Sequence, residues 1–220
     1  MPVIAVHQTA LVGWGRIVKR LFDLVVSSVM LIIATPILLI IAFLIKCTDF
    51  RAPVIFKQPR LTRFDTMVGI FKFRSHKQRF SGLSPEEAFK KMGRSDLIKP
   101  YRQNGDYLPG DPRISRLGNF LRRTSLDELP QLLNVIKGDI SLVGPRALVP
   151  EELAQSAHKN QILSVKSGLT GLAQISGRRN IDFEERRKLD LFYVQNWSFW
   201  SDIVILLKTI SIVLFHRGAR

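Results

Sequence analysis

Apolar residues are concentrated in one stretch near the N-terminus. Residues 24–45 contain no charged side chain, and a helix that crosses a bilayer needs about 20 such residues. The stretch ends in Lys46-Cys47-Thr48-Asp49 and not in the small residues of a cleavage site. We therefore expect a retained membrane anchor rather than a signal peptide.

Thr35 and Pro36 lie near the middle of this stretch. A proline inside a helix removes one backbone hydrogen bond and crowds the preceding turn, so the sequence predicts a helix break here. Cations flank the stretch on both sides, and because positive residues are retained in the cytoplasm, they favour a re-entrant helix with both ends there. A single span with a tolerated proline is the alternative. The flanking cations are Arg16, Lys19 and Arg20 before the stretch, and Lys46, Arg51, Lys57, Arg60 and Arg63 after it.

Two short segments with strand-forming residues follow the anchor. Residues 52–58 and 67–74 predict strands, and the basic segment 59–65 between them predicts the turn of a β-hairpin. Lys72 and Arg74 then share one face of the second strand. Residues 78–111 are polar and rich in turn formers, which is compatible with a mobile flap.

Later segments have the spacing of helices. Ser84-Pro85-Glu86-Glu87 predicts a helix start with proline at the first helical position. Ser125-Leu126-Asp127-Glu128 fits a capping box, and apolar residues follow at helical spacing until Lys137-Gly138 ends the helix. Pro130 fits this helix more easily if Asp127 is the cap.

The C-terminal third combines predicted loops and helices. Residues 168–171 and 176–180 predict loops whose amides and guanidinium groups suit phosphate contact. Residues 183–194 predict an amphipathic helix. Residues 197–215 begin with two tryptophans and are followed by basic residues, which is typical of a helix at the membrane interface, although a buried core helix is an equal alternative.

Composition narrows the class of partner. The chain has 33 Lys and Arg against 18 Asp and Glu, a net charge of +15, so we expect nucleic acid, an anionic membrane surface or a phosphorylated substrate. The 46% content of hydrophobic residues favours membrane and phosphate over a DNA groove. A single cysteine, Cys47, excludes an internal disulfide and a cysteine-based zinc cluster, and it fits a cytosol-facing protein.

Adjacent carboxylates lie among arginines at a predicted helix start. Asp127 and Glu128 follow Arg122 and Arg123, and we expect these positive surroundings to keep Asp127 ionised. By itself this local pattern is more often a structural cap than a site. Cations beside paired carboxylates would nevertheless suit phosphate chemistry.

Ordered blocks along most of the chain resemble the bacterial sugar transferase family, the polyprenyl-phosphate hexose-1-phosphate transferases, also called monotopic phosphoglycosyl transferases. The chain departs from the family pattern at Thr62, His76, Ala147 and Ser167, and none of these departures removes a charged residue from the inferred site. The matching blocks are residues 19–23, the proline-broken apolar helix, and residues 54–60, 71–75, 111–114, 124–131, 138–146 and 168–178.

The resemblance implies transfer of a sugar 1-phosphate from a UDP-sugar to polyprenyl (undecaprenyl) phosphate, with release of UMP, as the first membrane step of glycan assembly. It implies a covalent aspartyl-phosphosugar intermediate on Asp127, with Glu128 beside it for metal binding and orientation. Mg²⁺, held by Asp127 and Glu128 together with the substrate phosphates, is the implied cofactor. The candidates for neutralising the pyrophosphate are Lys72, Arg123, Arg146 and Arg178.

We therefore expect an α+β fold: a mainly helical catalytic domain with a small β-hairpin, an N-terminal proline-broken re-entrant membrane helix and amphipathic interface helices. Residues 1–50 are expected to form the anchor, and residues 51–220 a membrane-associated catalytic domain on the cytosolic face of the bacterial inner membrane. The expected partners are the UDP-sugar donor, the polyprenyl phosphate acceptor and membrane lipid, without nucleic acid. A homodimer is compatible, since interface helices of this kind often pair.

The alternative function is a non-catalytic, membrane-anchored basic module that binds anionic lipid or nucleic acid. Its binding would weaken steeply with salt and would depend neither on Asp127 nor on a divalent metal.

Overall fold

A computed structural model of the chain describes residues 9–80, 82–103, 108–148, 158–177 and 182–214. Within these residues the fold is mainly helical, with a small antiparallel sheet and one long apolar N-terminal helix, as predicted. The helices are α1 (Trp14–Thr48), α2 (Pro85–Lys91), α3 (Ile98–Gln103), α4 (Arg116–Thr124), α5 (Gln131–Lys137), α6 (Lys159–Ile162), α7 (Leu172–Ser176), α8 (Phe183–Gln195) and α9 (Phe199–Leu214). The strands are β1 (Ile55–Leu61), β2 (Met67–Phe73), β3 (Ser141–Val143) and β4 (Gly168–Thr170).

Helix α1 continues through Thr35 and Pro36 as one helix of 35 residues. The Thr35 hydroxyl donates a hydrogen bond to the carbonyl of Leu31 at 2.7 Å, within the helical turn that precedes the proline. The predicted helix break at Thr35 and Pro36 is therefore not confirmed, and the re-entrant topology stays a prediction.

Both ends of α1 contact the rest of the chain, while one face of its middle is open. Near the N-terminal end, Lys19 pairs with Asp202 of α9 at 2.6 Å. Near the C-terminal end, Ile41 and Ile45 pack in a cluster with Phe73 of β2. Between them, the helix exposes apolar side chains on a scale that is rare on soluble monomers. By length and composition α1 can cross a membrane, so it is consistent with the predicted anchor.

Strands β1 and β2 form the predicted hairpin, but β1 lies three residues later in the sequence than predicted. The sequence places Pro59 in the turn, but Pro59 pairs with Gly69 within the sheet. A two-stranded sheet has only edge strands, where proline is tolerated because its missing N–H can face away from the partner. The turn instead contains a 3-10 helix at Arg63–Asp65, in which Phe64 and Asp65 have positive φ angles of 56° and 57°.

Residues 168–171 do not form the predicted loop, because Gly168–Thr170 is strand β4, parallel to β3. The two backbones touch: a Cβ on Gly168 would lie 2.1 Å from the amide nitrogen of Gly144. The Gly168 amide donates to the carbonyl of Pro145 at 2.8 Å and is therefore not free for phosphate. A side chain at either glycine would force the strands apart.

The segment predicted as a flap contains helices α2 and α3 and is tied to the domain by Arg113. The helix start at Ser84 is confirmed, with both hydrogen bonds of a capping box to Glu87 present. Arg113 donates to both carboxylate oxygens of Asp111, and its guanidinium lies over the rings of Phe89 and Tyr101. The last two contacts hold α2 and α3 on the domain.

A buried polar network joins α1, α8 and α9 inside the main core. The carboxylate of Asp202, which is 0% exposed, accepts hydrogen bonds from Lys19, from the Tyr193 hydroxyl at 2.7 Å and from the Trp197 indole at 3.1 Å. The surrounding apolar cluster contains Leu11, Ile70, Leu132, Val135, Ile140, Leu142, Val143, Val165, Tyr193, Val194 and Ile205.

Helix α9 has features of both alternatives predicted for residues 197–215, a helix at the membrane interface and a buried core helix. Its inner face carries Asp202 and Ile205 into the core. Its outer face is apolar and open, with Trp200 and Leu207 exposed by 74% and 63%. The Phe199 ring also contacts Phe22 of α1 edge to face, so the two apolar helices adjoin. This arrangement fits a helix that packs on the domain and presents its other face to lipid.

Candidate active site

Asp127 lies in a short 3-10 helix, Leu126–Glu128, between α4 and α5. Ser125 ends α4 in the left-handed conformation, with a φ of 60°. Its side chain makes no capping hydrogen bond to α4 or to the 3-10 helix. The predicted capping box is therefore wrong, and so is the placement of Asp127 as the helix cap. Helix α5 begins at Gln131 with Pro130 at the N-cap position, where the missing amide hydrogen costs no intrahelical bond.

The Asp127 side chain is largely buried, with the residue 8% exposed. Burial raises the pKa of Asp127 to about 6, and the neighbouring Glu128 adds to the increase, whereas Lys72 and Arg122 lower it. The sequence predicts that cations hold this pKa down, but burial outweighs them. The carboxylate form still predominates at neutral pH, which lies about one unit above this pKa. A poorly solvated carboxylate that remains ionised is suited to act as a nucleophile.

We expect the carboxyl group of Asp127 to titrate near pH 6 in protein freed of divalent ions. Glu128→Gln should lower this pKa because it removes a negative neighbour, and Lys72→Met should raise it because it removes a positive one. Carbon-13 NMR of protein labelled at aspartate measures each value, and Lys57→Met, at an exposed position of β1, is the control. Titration of Asp127 near pH 4 in all four proteins would contradict the structure.

Lys72 of β2 reaches the carboxylate pair. Its ammonium group donates to Oε1 of Glu128 at 2.8 Å. The structure thus brings together three residues that the sequence singled out, although Lys72 and Glu128 are far apart along the chain. A cation held this close can offset the charge of an approaching phosphate.

Arg122 is the neighbour of Asp127 in the structure, whereas the sequence placed both Arg122 and Arg123 beside it and gave only Arg123 as a phosphate ligand. Arg122 and Arg123 are both exposed, but Arg122 Nε donates to the Ser75 hydroxyl at 2.8 Å, and the charge of Arg122 lowers the pKa of Asp127. The spacing of Gly118 and Arg122 could have shown this, since residues four apart share a helix face. A Cβ on Gly118 would lie 2.0 Å from the Ser75 carbonyl, so that face of α4 packs directly on the chain leaving β2.

His76 is the other side chain that Arg122 approaches, with 3.4 Å between an Arg122 nitrogen and Nδ1 of His76. Burial lowers the pKa of His76 to about 4, and the positive charge of Arg122 contributes. The ring is therefore neutral at pH 7 and adds no charge to the site.

The other two predicted phosphate ligands are not placed at this carboxylate pair. Arg146 is exposed beyond the end of β3, and its backbone amide lies 3.4 Å from Oδ1 of Asp190 in α8. Among the described residues its contacts are with α8 and β4, not with Asp127 or Glu128. Arg178 lies outside the described residues.

A cavity of about 450 Å³ adjoins this region and shares His76 with it. Its wall includes Ile45 at the end of the apolar stretch and Leu117 of α4. Arg74 is largely buried there and pairs with Asp49 at 3.6 Å, so it does not join Lys72 at the carboxylates. The cavity therefore combines an apolar end with cations. The cationic lining residues are Arg74, Lys77 and Arg79.

Asp127 and Glu128 fit the implied Mg²⁺ only if the substrate supplies the remaining ligands. The described part of the chain has no group of three or more His, Cys, Asp or Glu side chains arranged to hold a metal. Mg²⁺ is commonly bound through one or two carboxylates plus substrate phosphates and water, and not by an all-protein cage. Two adjacent carboxylates suit that mode, in which the substrate supplies the remaining ligands.

Comparison with known proteins gives a match over nearly the whole chain. The family model described as bacterial sugar transferase matches residues 14–216. The chain is 42% identical over 207 residues to the undecaprenyl-phosphate galactose phosphotransferase of Salmonella typhimurium, covering 93% of this chain and 42% of that protein. It is 36% identical over 231 residues to the UDP-glucose:undecaprenyl-phosphate glucose-1-phosphate transferase of Escherichia coli, covering 100% of this chain and 45% of that protein.

A shorter relative matches over most of its own length. The exopolysaccharide production protein ExoY of Rhizobium meliloti is 39% identical over 207 residues, which cover 93% of this chain and 89% of ExoY. The chain thus spans less than half of the two longer relatives but nearly all of this one.

Proposed function

Because the chain belongs to the bacterial sugar transferase family, we propose that it transfers a sugar 1-phosphate from a UDP-sugar to polyprenyl (undecaprenyl) phosphate and releases UMP. The observation that carries the proposal is the buried Asp127 carboxylate, adjacent to Glu128 and Lys72, in a domain packed against an apolar helix. The names of the relatives, which include undecaprenyl-phosphate galactose and glucose-1-phosphate transferases, support the choice of donor and acceptor.

In the proposed mechanism, a carboxylate oxygen of Asp127 attacks the phosphorus that carries the sugar. The bond from this phosphorus to the bridging oxygen of the pyrophosphate breaks, and UMP leaves with that oxygen. An acyl phosphate links Asp127 to the sugar. A phosphate oxygen of the polyprenyl phosphate then attacks the same phosphorus and expels the carboxylate, which completes the lipid-linked diphosphate sugar.

The neighbours of Asp127 have separate roles in this proposal. Lys72 offsets the charge of the pyrophosphate as two anionic groups meet, and Arg122 does so from the α4 side. Glu128 holds Lys72 in place and keeps the pKa of Asp127 raised. Mg²⁺ bound through Asp127, Glu128 and the substrate phosphates would supply further charge neutralisation. Arg123, Arg146 and Arg178 remain candidates for contacts with the rest of the donor.

We expect purified protein supplied with Mg²⁺, undecaprenyl phosphate and a panel of UDP-sugars to release UMP with at least one donor. Omission of the polyprenyl phosphate should stop turnover after a single equivalent, because Asp127 then stays occupied. If no donor supports UMP release and lipid binding depends only on salt, the alternative of a non-catalytic basic module takes its place.

The contacts of α1 support a re-entrant anchor on the cytosolic face of the inner membrane. Its two ends pack on the same domain, through Lys19 and through Ile45. A helix that crossed the bilayer would carry those ends to opposite sides, where a single domain could not contact both. We propose that residues 1–50 act as the anchor and residues 51–220 as the catalytic domain.

This topology predicts that Ala10→Cys and Arg60→Cys, each in a Cys47→Ser background, are both shielded in intact cells from a membrane-impermeant thiol reagent. Permeabilised cells should allow the reagent to reach both positions, which provides the control. Labelling of position 10 alone in intact cells would show that α1 spans the membrane.

A further inference from the structure

Four cations meet beside the N-terminal end of α1, away from Asp127. They come from three parts of the chain: Arg16 and Arg20 from α1, Arg63 from the hairpin turn, and Lys166 from the segment before β4. Arg20 and Lys166 both approach within 3.3 Å of the position that a Cβ on Gly138 would occupy. The fold thus places cations from distant parts of the sequence side by side.

Within the described part of the chain, these cations have no acidic partner. Two of them donate to backbone carbonyls instead: Arg20 to Val135 and Ile136 of α5, and Arg16 to Leu11. Among the described residues, no carboxylate lies within ion-pair distance of Arg16, Arg20, Arg63 or Lys166. The nearby acids are engaged elsewhere: Asp23 by Ser141 and Leu142, Asp139 by Lys137 and Asn134, and Asp65 by Lys159.

Among the described residues, the cluster also has a buried hydrogen-bond donor without an acceptor, and its positive charges repel one another. Nε of Arg63 is buried without a hydrogen-bond partner among the described residues. Burial lowers the pKa of Lys166, and the charges of Arg20 and Arg63 lower it further, against a smaller opposing effect of the more distant Asp23 and Asp139. Burial and the charge of Arg16 likewise lower the pKa of Arg63. Like charges held together with an unpaired donor are stabilised by a bound anion.

The surroundings identify the kind of anion. Exposed apolar side chains adjoin the cluster on the same turns of α1: Trp14, Ile17, Val18 and Leu21, exposed by 80%, 50%, 45% and 58%. The charge-free stretch begins only a few residues later, at residue 24, so the cations lie at the depth of lipid headgroups. A free phosphate ion would use the cations alone, whereas a phospholipid would also cover the apolar side chains.

We infer that Arg16, Arg20, Arg63 and Lys166 bind the phosphate headgroup of an anionic phospholipid, whose acyl chains lie along Trp14, Ile17 and Leu21. The site would fix the N-terminal end of α1 at the membrane surface and connect it to the hairpin turn. It is separate from the carboxylate pair and does not rest on the proposed transferase activity.

The test compares thermal unfolding of the full chain in neutral detergent with added phosphatidylglycerol, phosphatidylcholine or inorganic phosphate. We expect phosphatidylglycerol to raise the unfolding temperature by several degrees and the other two to leave it unchanged. The variant Arg63→Gln/Lys166→Gln should lose this increase. Without lipid it should be as stable as the original chain or more so, because it lacks the repulsion. A merely structural role for the two side chains predicts lower stability with and without lipid.

The matched control is Lys90→Gln/Lys188→Gln, which removes two positive charges at exposed positions of α2 and α8. It should keep the full response to phosphatidylglycerol. Loss of the response in the control, retention in Arg63→Gln/Lys166→Gln, or an equal response to phosphatidylcholine would overturn the inference. An equal increase with inorganic phosphate alone would replace the lipid by a free anion and overturn it as well.

Discussion

Asp127→Asn should abolish UMP release, with a fall in turnover of at least about 10³-fold, because an amide cannot form the acyl phosphate and other groups of the site cannot replace it. The radiochemical or luminescent assay of UMP measures this directly. Asp96→Asn is the matched control, since it makes the same change on an exposed aspartate paired with Arg94 and should keep the original rate.

The same substitution should not weaken the fold. Because the folded-state pKa of Asp127 is raised to about 6, its ionised form destabilises the folded chain at pH values above the pKa of the unfolded state. This loss develops between about pH 4 and pH 6 and is complete above that range. Asp127→Asn removes it, so we expect a gain on the order of 2 kcal/mol at pH 7 in protein free of divalent ions, and no gain near pH 3.

This opposite effect on activity and stability separates a lost nucleophile from a damaged fold. An inactive Asp127→Asn protein that also unfolds more easily at pH 7 would leave structural damage as the cause. Retained activity in a stable Asp127→Asn protein would show that another group attacks the phosphorus.

Asp202→Asn should destabilise the chain by about 3–5 kcal/mol, since it leaves the buried Lys19 ammonium without a counter-charge. The side chains of Lys19 and Asp202 are 7% and 0% exposed, so water cannot replace the lost partner. For a chain of this size, we expect the midpoint of thermal unfolding in detergent to fall by about 10 °C.

Two further variants test the cause of this effect. Lys159→Met breaks the exposed pair of Lys159 with Asp65 and should cost less than about 1 kcal/mol. Lys19→Met in combination with Asp202→Asn should recover part of the loss, because no charge is then left buried. An equal loss in Lys159→Met and Asp202→Asn would mean that burial of the Lys19 pair is not what matters.

Local sequence patterns predicted the elements that local forces determine. The hairpin, the proline-containing start of α2 and the end of α5 at Gly138 all follow from turn chemistry and capping. Strand β4 was missed because its three residues, Gly168–Thr170, are too few to show a period of two, and only the close approach of β3 makes them a strand.

The sequence indicated part of this residue cluster, Lys72 with Asp127 and Glu128, but not its electrostatics. The family resemblance placed Lys72 with Asp127 and Glu128, which no local pattern could do for residues so far apart. Which of two adjacent arginines faces Asp127 depends on the packing of Gly118 against Ser75, a contact between distant segments. The direction of the Asp127 pKa shift depends on how deeply the finished fold buries it.

In the proposed reaction, Asp127 carries the phosphorylated sugar between donor and acceptor. The most direct test incubates the protein with a UDP-sugar and Mg²⁺ in the absence of polyprenyl phosphate, quenches it and measures the mass of the peptide that contains residue 127. We expect a mass increase equal to one sugar phosphate on Asp127, which disappears when polyprenyl phosphate is added. Efficient transfer to lipid with an unmodified peptide at every quench time would contradict it.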